Sequence, residues 1–341
     1  MLFRSSPSSG PVTLLADFAF SLVLFELGYR INLRWLRANP WLGVTSVVEA
    51  AATFIAVLTL AMAFDMAMAP SLLLAALSMA TSPAAVVRVV NELKSSGQVT
   101  ERLLHLSAFN SVLSVIVFKT VLGYWILASA GDIFHAAWSS LIVVSVSAGI
   151  GAFFGVAVPA LLRSMGSVDR NATIAFAISA LLLTALTLSF NFSPVLAALT
   201  FGLVARHRRI ILSQAQTNFG ALGDLLTVLL FVFVATSVDW KNAVAGAGLA
   251  LAVIGVRLAV KTVSATAFAH LGGITWRKGA LTGLAMMPMS VFAILMLEHA
   301  RHLELGALEQ VAGVAAIVLL LEVVGPIVTQ RALIWAGETR V

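Results

Sequence analysis

The sequence predicts an all-α polytopic membrane protein of about eleven transmembrane helices, and three observations carry that prediction. Of the 341 residues, 60% are hydrophobic, and the mean hydropathy is +1.01. Only 11% are charged, against about 25% in an ordinary soluble domain. The apolar residues fall in long continuous runs, without the alternation that a transmembrane barrel strand requires. Together these exclude a cytosolic or secreted enzyme, a nucleic-acid-binding module and a disordered chain, despite a pI of about 10.3. The chain has no cysteine, which removes disulfides, thiol catalysis and Cys-ligated metals. No enzymatic activity, cofactor or resident metal is expected, and the lipid bilayer is the expected environment.

A helix that crosses the hydrocarbon needs roughly 20 mostly apolar residues. Such runs occur at 12–30, 41–63, 70–90, 103–127, 137–162, 171–190, 194–205, 219–238, 243–268, 279–297 and 308–330. The run at 194–205 is short; it starts at Pro194 and either extends back into Phe192 and Ser193 or tilts little. Loop charges test the count. Alternate loops place fifteen Lys and Arg on one side, among them Arg34, Arg37, Arg88, Lys94, Arg102 and Arg206. The other side receives Arg4, Lys241 and Arg301, and Lys119, Arg257 and Lys261 lie inside runs. Positive loops face the cytoplasm, so the C-terminus is expected inside and the N-terminus outside a bacterial-type inner membrane. Residues 1–11 show no signal peptide. An odd number of spans with an outside start fits either a first helix missing upstream or a first helix whose short tail is translocated.

Ionisable residues inside spans are costly and mark function by default. Here they are Glu26, Glu49 and Glu322, with Lys119, Arg257 and Lys261; Asp17 and Asp224 lie nearer span ends. Arg257 and Lys261 are four apart, so they share one helical face and need counter-charges. Glu49 and Glu322 are the available anions. Arg257 reads as half of a buried ion pair that fixes packing, and Lys261 as functional.

Two spans are interrupted. One carries Thr81-Ser82-Pro83 near its middle and the other Pro288. Proline removes a backbone donor and clashes with the preceding turn. In lipid such breaks survive where they line a cavity, and a matched pair points to a transporter binding site. The triplets 41–127 and 243–330, each with a broken middle member, enter the membrane from opposite sides as an inverted 3+3 repeat. Asn110-Ser111 and Lys261 then face the crossing of the broken helices.

These stretches resemble the monovalent cation:proton antiporter superfamily, the sodium/hydrogen exchangers and Kef-type potassium-efflux carriers. TSPAAVVRVVNEL (81–93) followed by ERLLHLSAFNSVLSVIVFK (101–119) is similar to the family's Thr-Asp-Pro-x-Ala-Val and Asn-Asp pair. LVLFELGYRINLRWLR (22–37), FVFVATSVDW (231–240), VRLAVK (256–261), WRKGALTGLAMMPMSVFA (276–293) and LEVVGPIVTQRALIWAGE (321–338) agree in order and spacing. The family's twelve or thirteen spans again imply a helix before residue 12. The resemblance implies a mobile core of helices 41–127 and 243–330, and dimerisation or scaffold helices at 12–40 and 137–238. It further implies a homodimer and elevator-like exchange of cation and proton on one carboxylate.

By position, Ser82 stands where the family often has its first Asp, and Ser111 where the essential Asp follows Asn110. Lys261 matches the late basic residue and Pro288 the second break. Leu106 and Ser107 fill the region where some exchangers carry an acid. Hydroxyls can ligate Na+ or K+ but cannot titrate near neutral pH. Thr81, Ser82, Asn110, Ser111 and the carbonyls freed at Pro83 and Pro288 would therefore hold the cation. Proton coupling would move to Lys261, or to Glu49 and Glu322, since a buried ammonium can alternate its protonation. If none serves, the chain is an uncoupled channel or uniporter, or a non-transporting regulator.

Other motifs are weak. His299 and His302 beside Glu298 and Glu304 have metal-ligand spacing but read as a solvated outside loop. His105 reads as an interfacial, solvated residue, with a pH-sensitive gate as the functional alternative. Gly151-x-x-x-Gly155 permits close helix packing. No phosphate-cradling loop is present, so a pump with its own ATPase is excluded.

Overall fold

A computed structural model of the chain describes residues 9–126, 133–164, 168–190, 192–207, 247–290 and 312–339, with Val228, Ala293 and Met296. The described residues are helical and contain no strand. In order they form α1 (Ser9–Arg30), α2 (Leu33–Ala38), α3 (Trp41–Ala63), α4 (Met68–Ser78), α5 (Pro83–Glu92) and α6 (Gln98–Ile126). Then follow α7 (Ile133–Ser164), α8 (Val168–Ser189), α9 (Pro194–His207), α10 (Ala247–Ala267), α11 (Trp276–Ala285) and α12 (Ala312–Trp335). Among the described residues, five stretches are long and apolar enough to cross a membrane: Trp41–Ala63, Met68–Glu92 taken across its break, Gln98–Tyr124, Trp138–Ser164 and Ala247–Ala267. The expected span at 219–238 lies outside the described residues apart from Val228, and so do the FVFVATSVDW stretch and Asp224.

Helix α2 was not expected, because six residues with two arginines read as a loop. It forms because Asn32 caps it, its Oδ1 accepting from Arg34 N at 3.1 Å and Trp35 N at 3.3 Å.

The chain divides into two compact units: Met1–Arg30 with Val143–Val232, and Ile31–Ile142 with Phe233–Val341. In the first, small residues bring backbones together. A Cβ on Gly28 would strike the Leu199 carbonyl, and one on Gly202 the Phe25 carbonyl, so α1 and α9 meet backbone to backbone. The expected Gly151–Gly155 contact is seen: Gly151 faces the Ala197 carbonyl and Gly155 the Val204 side chain. Phe25, Phe176 and Phe201 fill the space beside them with ring centroids 4.7–5.6 Å apart. Glu26, one of the in-span acids, is taken up by Arg30 at 2.9 Å.

The second unit holds both broken helices. The run at 70–90 is realised as α4, a non-helical link at 79–82, and α5, which starts on Pro83 with Ser82 as its N-cap. Ser82 Oγ accepts from Ala85 N at 3.3 Å, a donor that the helix start would otherwise leave unpaired. The second break follows α11 at residues 286–290. Glycines hold the neighbouring helices against it. Gly283 of α11 leaves no room for a Cβ against Thr262 and the Lys261 carbonyl, and Gly325 of α12 none against Pro288. Past α12 the chain turns at Gly337, whose φ of +69° suits glycine. Glu338 then caps α6, accepting from Val99 N and Thr100 N at 2.9 Å each, and fixes the helix that carries Asn110 and Ser111.

Gly202→Val should force α1 and α9 apart and cost about 1–3 kcal/mol by overpacking. Thermal unfolding in detergent should show a lowered midpoint. Gly149→Ala, whose Cβ meets nothing within 4 Å, should unfold like the parent protein.

Candidate functional site

Breaking two helices inside a membrane exposes carbonyls that lipid cannot satisfy. The links at 79–82 and 286–290 partly satisfy each other: Ser82 N–H donates to the Pro288 carbonyl at 3.0 Å, and the Thr81 hydroxyl to the Met286 carbonyl at 3.4 Å. Most of the remaining demand falls on α10. Its buried face presents Arg257 and Lys261 one turn apart, as their spacing predicts.

Arg257 behaves differently from the ion-pair expectation. Its guanidinium donates to four backbone carbonyls: Nε to Ser78 at 2.8 Å, Nη1 to Met287, and Nη2 to Ala80 and, at 3.1 Å, to Pro288. Two of these carbonyls follow α4 or end it, and two follow α11. Helix C-termini carry partial negative charge, so one cation clamps both ends at once. Arg257 does fix packing, but through carbonyls.

Lys261 takes the carboxylate. Its Nζ lies 2.6 Å from Glu49 Oε1 and 3.0 Å from the Met79 carbonyl in the first break. Glu49 sits on α3, where Thr53 Oγ1 donates to Oε1 at 2.9 Å and Asn110 Nδ2 to Oε2 at 2.5 Å. Ser46 completes the arrangement by donating to Asn110 Oδ1 at 2.9 Å. Glu49, Lys261, Asn110 and Thr53 are all 0% exposed, so the pair is shielded from solvent and each charge depends on its partners.

The structure divides the expected residues into two groups. Thr81, Ser82, Ser111, Pro83 and Pro288 gather at the crossing; Ser111 Oγ donates to the Ser107 carbonyl at 2.8 Å and lies 3.4 Å from that of Thr81. Asn110, although adjacent to Ser111, points to Glu49 and Ser46. The Met79 carbonyl on Lys261 joins the two groups. Glu322, on α12, lies beside Ser82 and within electrostatic range of Arg88.

Two outcomes were not anticipated. Ser46 and Thr53 carry a signal in the sequence, since with Glu49 they form an i, i+3, i+7 stripe down α3, the spacing that marks one helical face. His105 is 0% exposed rather than solvated. Its Nε2 accepts from Asn32 N at 3.3 Å, its Nδ1 meets the Glu101 carbonyl at 2.7 Å, and its ring lies 4.9 Å from that of Trp35. It therefore fastens α6 to the start of α2. The His299 and His302 pair, with Glu298 and Glu304, lies outside the described residues.

The profile of the sodium/hydrogen exchanger transmembrane family matches residues 8–335. Among solved structures, the sodium proton antiporter MjNhaP1 of Methanocaldococcus jannaschii at pH 8 superimposes with a TM-score of 0.68. It is 17% identical over 97% of this chain and 84% of its own. An electron-microscopy structure of the same antiporter gives a TM-score of 0.64 at 17% identity, over 97% and 83% of the two chains. At that identity the likeness establishes a shared fold. A search of curated protein sequences finds no match.

Removing one member of the buried pair strands the other. Glu49→Gln or Lys261→Met alone should each destabilise the protein by about 3–5 kcal/mol, and the double variant by clearly less than their sum. Denaturant or thermal unfolding in detergent measures this cycle; additive losses would mean that the two groups do not depend on each other.

Proposed function

We propose that this chain, which belongs to the sodium/hydrogen exchanger transmembrane family, exchanges a monovalent cation, Na+ or K+, for protons by alternating access. The observation that carries this reading is the Lys261–Glu49 pair, 2.6 Å apart and closed to solvent, joined through the Met79 carbonyl to a broken-helix crossing. Counted with all four groups ionised, Arg257, Lys261, Glu49 and Glu322 sum to zero charge. A desolvated cation entering the crossing adds one positive unit, which a low-dielectric site tolerates poorly. Loss of one proton restores the balance.

Lys261 is the group placed to lose it. Its ammonium occupies Glu49 Oε1, so the ammonium and an incoming cation compete for the same negative charge. Deprotonation leaves Glu49 free to balance the cation, and cation release invites the proton back. Arg257 stays charged throughout and holds the crossing. Neutral oxygens of Thr81, Ser82 and Ser111, with carbonyls of the two links, would serve as ligands that neither gain nor lose protons. On this reading, helices 41–127 and 243–330 are the moving core, and 12–40 with 137–238 the scaffold of a homodimer. The protein would sit in a bacterial-type inner membrane with its C-terminus in the cytoplasm.

Reconstituted in proteoliposomes, the protein should acidify or alkalinise the lumen when a Na+ or K+ gradient is imposed, and Lys261→Ala should abolish that response. Cation flux that moves no protons would identify a uniporter instead. No flux of either ion, with a stable partner on co-purification, would identify a regulator.

A further inference from the structure

Glu49 and Glu322, the two acids beside the broken helices, are not equivalent. Both oxygens of Glu49 are occupied, by Lys261 and Thr53 on Oε1 and by Asn110 on Oε2. Glu322 Oε2 is buried and has no hydrogen-bond partner among the described residues. Its neighbours are the Ser82 hydroxyl and, at longer range, Arg88, which holds Glu92 at 3.0 Å.

Helix α12 aims this carboxyl at the crossing. Along one face, Thr329 donates to the Ala285 carbonyl at 2.9 Å and Gly325 packs on Pro288; Glu322 continues that face by three residues to Ser82. A bare carboxylate oxygen cut off from water is costly unless a proton or a cation covers it. A monovalent ion stripped of water needs an anionic ligand in direct contact; Glu49 balances its charge from a distance, because both Glu49 oxygens are engaged by Thr53, Asn110 and Lys261. Resting on the exchange reading, we infer that Glu322 and Ser82 together form a binding site for the transported monovalent cation, with α12 supplying the carboxylate and α5 the hydroxyl. The acid that the serines at 82 and 111 do not provide thus enters the crossing from another helix.

The test is direct ion binding to the purified full-length protein, with 22Na+ and 86Rb+ as probes. Glu322→Gln should weaken binding of the preferred ion at least about tenfold, the loss of one charged ligand. Ser82→Ala should weaken it several-fold, and Glu322→Asp, which keeps the charge, should recover part of the loss. The ion should also raise the unfolding midpoint of the parent protein and leave that of Glu322→Gln unmoved. Wild-type affinity in Glu322→Gln overturns the assignment. Should that variant fail to fold, wild-type affinity in both Ser82→Ala and Glu322→Asp overturns it equally. Glu322-dependent binding in a protein that moves no protons would keep this site and remove the exchange reading. Proton exchange with binding indifferent to Glu322 would do the reverse.

Discussion

The second unit is organised by one constraint: backbone carbonyls exposed by two helix breaks inside a membrane must find donors. Arg257 meets most of it, with a single fork on Ser78, Ala80, Met287 and Pro288. Five donors in a rigid plane suit that task, and the guanidinium never surrenders its proton. The glycines follow from the same demand. Gly283 and Gly325 let α10 and α12 come close enough to seal the breaks, and the Thr329 hydroxyl caps the last carbonyl of α11.

Once the breaks are held, polar groups can converge on them without further backbone cost. Lys261 reaches the Met79 carbonyl because Arg257, one turn earlier on α10, has already drawn α4 against it. Glu49 reaches Lys261 because α3 presents Ser46, Glu49 and Thr53 on one stripe, and α6 presents Asn110 to the other carboxylate oxygen. Four helices share one hydrogen-bonded cluster, anchored at the end of α6 by Glu338. Shifting any one of them alone would leave a buried charge uncovered, which ties their movements together.

Much of this was legible in the sequence. The long apolar runs gave the helices, the prolines at 83 and 288 gave the breaks, and the i, i+4 spacing of Arg257 and Lys261 put both on one face. Partner choice was not legible, because it depends on tertiary geometry. Nothing in the spacing says that Arg257 takes carbonyls and Lys261 a carboxylate, or that Asn110 turns away from its neighbour Ser111. Helix α2 was hidden by its brevity and betrayed only by its Asn32 cap. A histidine near an interface is ordinarily wet, and His105 is buried instead through contacts with Asn32 and Trp35, seventy or more residues away in sequence. Glu338 was invisible because capping α6 from beyond α12 is a long-range contact with no local pattern.

On the proposed exchange, the two cations of α10 divide permanence from change along one helix face. They differ by one turn and by headgroup, and the difference sets their work. A guanidinium bound to four carbonyls keeps its charge whatever ion is present, so the architecture of the crossing does not dissolve when the site fills. An ammonium bound to one carboxylate and one carbonyl has less to lose by giving up a proton, because the neutral amine can still donate to either partner. Exchanging the two residues would put the group that can change where stability is needed and the group that cannot where the charge must vary. On the proposed exchange, the order Arg257 then Lys261 along α10 puts the fixed charge where the two breaks cross and the releasable one beside Glu49.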